Sequence, residues 1–213
     1  MMSHEELHHL MRARRSVRRF RPEIPDRALI ESILASAVTA PSASNKQPWR
    51  FLVVLNREVI ARMATAVRAA VDRIAAAVEP ESEASFRAYG DYFTRFEHAP
   101  LVIVPIYRPL TVLSNLTGPR LAGDDDERVR QMERDSGLIG TSLALQNLLL
   151  AAHAAGLGAS GMTGPLVAVD AIREILRVPA SWRPVALVPM GFADEEPPPT
   201  GRKTVEHVTQ WID

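Results

Sequence analysis

The stretch LIGTSLALQNLLLAAHAA, residues 138–155, limits the choice of fold more than any other part of the chain. A helix this apolar must be covered by a protein core or by lipid. Gln146, Asn147 and His153 interrupt it, and Gly156 ends it. It reads as a buried core helix over residues 137–155, not as a membrane span. The rest of the chain then has to supply layers that pack around it.

Those layers are partly readable. Ser3 and Glu6 have capping-box spacing and open a first helix that runs to about Arg14. Asp26 is placed to cap a second, with Leu29, Ile30, Ile33, Leu34 and Ala37 on one face and a stop before Pro41. Residues 50–55 read as a strand. Asn56 then caps a helix carrying Val59, Ile60, Met63, Val67, Val71, Ile74 and Val78. A more polar helix is expected over residues 82–96. LVIVPIY is a strand whose Pro105 suggests an edge or a bulge. Residues 108–123 read as a loop, and DDDER starts the helical region that leads into the apolar helix. LGASGM is strand-like, VDAIREILRV is an amphipathic helix, and WRPVALVPMGF is the last strand. Four short strands among six or seven helices do not alternate as regular βαβ units. The expected class is α+β, in a single domain over residues 1–213 with an extended tail from about residue 194.

Composition narrows the chemistry. Lys+Arg and Asp+Glu both total 25, so the net charge is zero. Broad attraction to nucleic acid or to an anionic membrane is not expected. There is no cysteine. Thiolate nucleophiles, disulfides and Cys-held metal clusters are excluded. A polar N-terminus without an apolar signal core points to the cytoplasm.

Two short motifs are set aside. HEELHH matches H-E-x-x-H through His4, Glu5 and His8, which share a helical face. A catalytic zinc also needs a third ligand and a cleft, and none is in sight at the extreme terminus, so no metal site is assigned. GLGASG matches G-x-G-x-x-G through Gly156, Gly158 and Gly161. It follows a helix and precedes a strand, the reverse of a dinucleotide fingerprint. Gly156 is better read as a helix C-terminal glycine in a left-handed conformation.

Two other stretches carry chemistry. RARRSVRRFRP gathers Arg12, Arg14, Arg15, Arg18, Arg19 and Arg21 around Ser16, a composition that suits phosphate oxygens. APSASNKQPWRF is a polar loop of small residues in which Ser42, Ser44, Asn45 and Gln47 offer hydrogen-bonding groups. Together with SLALQNLLLAAHAAGLGASGMTG and VPMGFADEEPPPTGRKTVEHV, and in that order, these blocks resemble the FMN-dependent nitroreductase family across nearly the whole chain.

That resemblance implies a sandwich in which helices flank an antiparallel sheet and surround a buried central helix. It also implies an intertwined homodimer whose C-terminal tails cross between subunits. The cofactor is expected to be FMN, with NADH or NADPH as electron donor. By position, Arg14 and Ser16 would hold the FMN phosphate and ribityl chain, with Arg15 beside them, and Arg202 and the weaker candidate Lys203 would join at the phosphate. Arg18 would lie near the pyrimidine edge. Pro41, Ser42, Ala43, Ser44 and Asn45, followed by Gln47, would contact the FMN of the partner subunit. Gly161, Met162, Thr163 and Gly164, after Ser160, would lie beside the flavin, with one backbone N–H addressing N5. The family's mid-chain Asn and Lys have no match in residues 61–96, where Arg68 is a substitute.

The expected activity is ping-pong electron transfer from NAD(P)H to a small-molecule acceptor, a nitroaromatic or quinone. No catalytic side chain is implied, because flavin N5 carries the chemistry. Dehydrogenation, dehalogenation, flavin fragmentation and non-catalytic FMN binding are the alternatives. Residues 89–97 and 108–123 would form the substrate loops. Phe86, Tyr89 and Tyr92 offer stacking surfaces, whereas Phe93 and Phe96 read as packing. Asp124, Asp125 and Asp126 read as a solvated helix start. His98 and His153 read as core or surface residues.

Overall fold

In the computed structural model, which describes residues 3–212, an antiparallel sheet is sandwiched between two layers of helices. The sheet grows from β2 (Leu101–Tyr107), whose neighbours are β1 (Trp49–Val54) on one side and β5 (Val188–Gly191) and β4 (Arg183–Pro184) on the other. The two-residue β3 (Gly158–Ala159) extends it beyond β5. Side chains alternate across a strand. Val102, Val104 and Ile106 therefore enter one core with α3 (Arg57–Ala75), through Ile60, Met63, Ala64 and Val67. Leu101 and Ile103 enter the opposite core, with Ile30, Ile33 and Ala37 of α2 (Arg27–Ala37) and Leu148 and Ala152 of the long apolar helix.

Several local readings hold. The helix α1 (His4–Ala13) opens with a complete capping box: Glu6 N–H donates to Ser3 Oγ at 3.1 Å and Ser3 N–H to Glu6 Oε2 at 2.6 Å. Asn56 Oδ1 accepts from the N–H groups of Glu58 and Val59, satisfying two orphan donors at the start of α3. Asp26 does occupy the N-cap of α2, but its carboxylate accepts no cap hydrogen bond.

Other elements differ. The expected helix over residues 82–96 is α4 (Pro80–Gly90) followed by a 3₁₀ segment, Asp91–His98. The expected loop over residues 108–123 contains α5 (Leu113–Thr117) and a 3₁₀ turn. The apolar helix and its acidic lead form one 31-residue helix, α6 (Asp124–Ala154). It is followed by α7 (Val169–Ile175), and the otherwise extended tail carries α8 (Val205–Val208).

The last strand is split, and Pro105 explains the split. Pro105 lies on the central strand rather than an edge, between the stretch paired with β5 and the stretch paired with β4. Its carbonyl accepts Val185 N–H at 2.9 Å. A strand residue presents its N–H and C=O to the same neighbour, so the donor that proline lacks is missing on that side, and the ladder is interrupted there.

By length and composition α6 is also apolar enough to cross a membrane. Its inner face packs against α2, β2 and β3 through Gly137, Gly140, Thr141, Ala144, Leu148 and Ala152. Its outer face is not covered by this chain. Met132, Ile139 and Leu143 are exposed there, Ile139 by 59%. The expectation of a buried helix thus holds for one side only.

Candidate functional site

The arginine-rich segment after α1 is held in place from two sides. On one, Val17 N–H donates to Ala159 O at 3.2 Å, and Ser16 forms a parallel bridge with Ala159. Burying Val17 stabilises this contact by about 1.5–3 kcal/mol. A Cβ on Gly158 would stand 2.7–2.9 Å from the Val17 side chain, so only glycine admits so close an approach. On the other side, Arg21 N–H donates to Phe192 O and Asp194 N–H to Arg19 O. Glu195 then accepts the N–H of Arg18 at 2.5 Å and that of Arg19 at 3.0 Å. The chain leaving the sheet is therefore fastened to the chain entering it.

This arrangement makes a concentrated positive field. Arg14 is half-buried, and its guanidinium pKa is lowered by burial, then by Arg202, then by Arg15. His153, in the last turn of α6, is half-buried too. Its pKa is lowered by burial and then by Arg14 and Arg15. Among the described residues no carboxylate pairs with Arg14, Arg15, Arg18 or Arg202. Like charges gathered without a counter-ion are unfavourable alone and favourable around an anion. Arg14 and Arg202, predicted as partners from opposite ends of the sequence, do converge. His153 was missed as a member of the cluster. Arg15 is used differently: its Nη1 donates to the carbonyls of Arg12, Ala13 and Arg14 and caps the C-terminus of α1. Lys203 lies in the exposed tail.

The other end of this surface is the segment after β3. Met162 is buried and exchanges both backbone hydrogen bonds with Leu187, at 2.9 Å each. Its N–H is therefore committed to the sheet. Gly161 and Thr163 are exposed, and their N–H groups have no backbone acceptor among the described residues. Both are donors still free for a ligand. Gly161 lies near Leu145 and Leu149 of α6, and Phe93 packs directly on Gly164. Ser160 Oγ is buried without a partner.

The loop of residues 41–47 sits elsewhere. Ser42 Cβ and Pro48 Cγ lie 3.4 Å from where a Cβ would stand on Gly140. Gly140 is thirteen residues from His153 on α6, roughly 20 Å at 1.5 Å per residue. Within one chain, then, the loop is not brought to the arginine cluster. Ser44, Asn45 and Gln47 all have positive φ, at 50°, 51° and 45°. Such a conformation is strained for side-chain-bearing residues and persists only when its surroundings fix it. Ser42 Oγ helps by accepting Gln47 N–H at 2.9 Å.

Other candidates sort cleanly. Arg68 donates both arms of its guanidinium to Glu97, at 2.7 and 3.0 Å, and so is engaged away from the cluster. Phe93 and Phe96 are core residues, whereas Tyr89 and Tyr92 are exposed. His4 and His8 stack on an exposed face of α1, and no metal-holding group of His, Asp or Glu occurs among the described residues. Gly156 has φ +78°, and the bonds Leu157 N–H to Ala152 O and Gly156 N–H to His153 O complete a Schellman motif.

Two adjoining cavities open on this side. One of about 540 Å³ is lined by Tyr107, Leu138, Ser142, Thr163, Arg173 and Arg183. The second, of about 530 Å³, shares Arg183 and adds Lys46, Arg108, Thr111 and Ser181. The segment above them is pinned by Glu133, a buried carboxylate on α6 that sequence reasoning did not single out. It accepts the N–H groups of Val112 and Leu113 at 2.7 Å and of Ser114 at 3.2 Å. Burial alone would raise its pKa; the hydrogen bonds from Ser114, Val112 and Leu113 outweigh burial and lower it.

Residues 11–192 match the profile of the Nitroreductase family. The chain belongs to that family. Among its relatives, an NADH dehydrogenase of Thermus thermophilus is 29% identical over 213 residues, covering 93% of this chain and 92% of that one. An iodotyrosine deiodinase of Haliscomenobacter hydrossis is 30% identical over 193 residues, covering 89% and 80%. The fold is shared with a BluB-like flavoprotein from Clostridium difficile 630, with a TM-score of 0.86 at 21% identity over 98% of this chain and 99% of that one. It is also shared with a nitroreductase with bound FMN from Desulfitobacterium hafniense, with a TM-score of 0.72 at 22% identity over the full length of both.

Proposed function

We propose that this chain, a flavin oxidoreductase of the nitroreductase superfamily, binds FMN and passes electrons from NADH or NADPH to small acceptors such as nitroaromatics and quinones in a ping-pong cycle. The observation that carries the reading is the unpaired cationic pair of Arg14 and Arg202, with His153 beside them, at one end of a surface whose other end presents the free N–H groups of Gly161 and Thr163. Between them, His153 and Leu145 are eight residues apart on α6, about 12 Å by helical rise. The donor set suits a ligand with a phosphate at one end and a hydrogen-bonding ring at the other.

In this reading Arg14 and Arg202 neutralise the phosphate, and Ser16 and Arg18 follow along the ligand. Gly161 or Thr163 donates its N–H to the ring, while Arg18 stabilises negative charge on it. FMN, when bound, supplies the two-electron chemistry at N5. Tyr89 offers an exposed ring to a planar acceptor, whereas the Tyr92 ring already carries the Arg95 guanidinium at 3.8 Å.

The reading includes a homodimer. The exposed apolar face of α6 and the exposed Val205, Val208, Trp211 and Ile212 of the tail need a partner surface. A second copy would also bring its residues 41–47 to a cluster that the first copy's own loop does not reach.

The identity to an iodotyrosine deiodinase favours one second reading, reductive dehalogenation in the same cleft. The test is the visible spectrum of the purified protein, followed by anaerobic addition of NADH or NADPH. A yellow protein that bleaches, and recovers its colour with a nitroaromatic or quinone, supports the first reading. Bleaching that only a haloaromatic reverses supports the second. A colourless protein that takes up no FMN rejects both.

A further inference from the structure

We infer that the cavity lined by Lys46, Arg108 and Arg183 is an oxyanion site that receives the phosphate groups of the nicotinamide dinucleotide; the identity of that ligand rests on the reading above.

The cavity gathers three cations within about 530 Å³, with the hydroxyls of Thr111 and Ser181 on its wall. Arg50 adds a fourth nearby. Its guanidinium lies 4.4 Å from the ring centre of Trp182, and that of Arg108 lies 5.7 Å from the same ring. Trp182 is buried, so two guanidinium groups are steadied against a fixed aromatic surface. Arg108 N–H donates to Pro48 O at 3.2 Å, which ties the segment bearing Arg108 to the loop bearing Lys46. The cations therefore come from three chain segments fastened together, not from one solvated helix face.

No acid answers them. Among the described residues, Lys46, Arg50, Arg108 and Arg183 form no ion pair. Two carboxylates on the packed elements are engaged elsewhere. Glu133 is taken up by the N–H groups of Val112, Leu113 and Ser114. Asp170, in the adjoining cavity, pairs with Arg173 at 3.6 Å. A single carboxylate would leave most of this charge unanswered, whereas phosphate or pyrophosphate oxygens match it in charge and geometry.

Position selects the source of the phosphate. Arg183 lines both cavities, and Thr163 lines the first. A ligand whose reactive ring reaches the Thr163 segment can lay an anionic extension past Arg183 to Lys46 and Arg108. A nicotinamide dinucleotide has that form; a simple nitroaromatic or quinone has no phosphate to place there.

The test uses FMN-loaded protein, so that the Arg14 cluster is filled, with Arg108→Gln, Arg183→Gln and the double variant. All of these positions are exposed and outside the flavin contacts. The first measurement is calorimetric binding of inorganic pyrophosphate. Wild type should bind it, each single variant roughly tenfold more weakly. The second is steady-state kinetics. The variants should raise KM for the nicotinamide donor and leave kcat and the acceptor KM unchanged, and pyrophosphate should compete with the donor. No pyrophosphate binding by wild type at millimolar concentration, or equal binding by the double variant, overturns the site. Pyrophosphate binding without competition against the donor overturns the assignment of its ligand. If neither nicotinamide reduces the protein, the assigned activity fails and the ligand assignment with it, while the calorimetry still decides whether the oxyanion site exists.

Discussion

Glu195 accepts the backbone N–H of Arg18 at 2.5 Å across 177 positions of sequence. One carboxylate thereby joins the segment that carries Arg14, Ser16 and Arg18 to the segment that leads to Arg202. Replacing it tests whether that junction positions the cationic cluster. Glu195→Ala should lower stability by about 1–3 kcal/mol, the cost of leaving backbone donors without their charged acceptor. It should also weaken FMN retention although Glu195 is assigned no contact with FMN. Denaturant unfolding and fluorescence titration of FMN measure the two effects.

Arg14→Ala should separate binding from folding. It removes a charge-assisted contact to phosphate, so FMN affinity should fall roughly 10- to 100-fold. It also removes a half-buried cation from beside Arg202 and Arg15, so the apoprotein should melt no lower than wild type. A large loss of apoprotein stability would mean that Arg14 is a packing residue.

His153 should couple FMN binding to protons. Burial, Arg14 and Arg15 lower its pKa, so the folded apoprotein holds it neutral while the unfolded chain still binds a proton. Its contribution to stability is thus present above the ordinary histidine pKa and lost as pH falls through the lowered folded value. A bound phosphate supplies the missing negative charge and should raise that pKa. Calorimetry near pH 6.5, in buffers of different ionisation enthalpy, should show more proton uptake on FMN binding for wild type than for His153→Gln.

Glu133 should matter above its own pKa and not below it. Its lowered pKa means that its contribution is present above the ordinary glutamate value and lost as pH falls through the folded one. Glu133→Gln should therefore melt below wild type at neutral pH, and the gap should narrow as the pH falls below the ordinary glutamate value. Limited proteolysis at neutral pH should cut residues 110–117 faster in the variant.

Ile139→Glu, on the uncovered face of α6, should yield a monomer by sedimentation while the sheet signature in circular dichroism persists. FMN retention should fall with it, because the partner's residues 41–47 would no longer be supplied. A dimer that survives this change would place the contact elsewhere.

Much of this molecule could be read from local pattern. The Ser3 and Asn56 caps, the apolar face of α2 and the left-handed Gly156 rest on spacings of a few residues, which a sequence displays directly. The pairing of Arg14 with Arg202 is different: no spacing displays it, and it is expected only because the ordered blocks resemble the nitroreductase family. The hidden parts involve distant or backbone partners. Glu195 and Glu133 bind N–H groups, which carry no residue signature. His153 gains its surroundings only when α1 ends beside the last turn of α6. The break between β4 and β5 depends on a proline some eighty residues earlier, because the donor missing from Pro105 is felt on its neighbour. The 3₁₀ turn after α4 replaces the expected helix, although Phe93 and Phe96 bury as a helix would bury them.

The arginine cluster has one wall set by the core of this chain and one wall set by its tail. His153 stands on a helix packed into the core and Arg14 on the segment fastened to the sheet through Val17, but Arg202 comes from a tail with every residue from 200 to 212 exposed, and among the described residues its own hydrogen bonds reach only Thr200 and Gly201. If the second copy of the proposed dimer covers that tail, retention of a bound phosphate answers to the contact between subunits and not to the sheet. Cofactor residence time and core stability then become separately adjustable, the first through that contact and the second through the helices and sheet behind it.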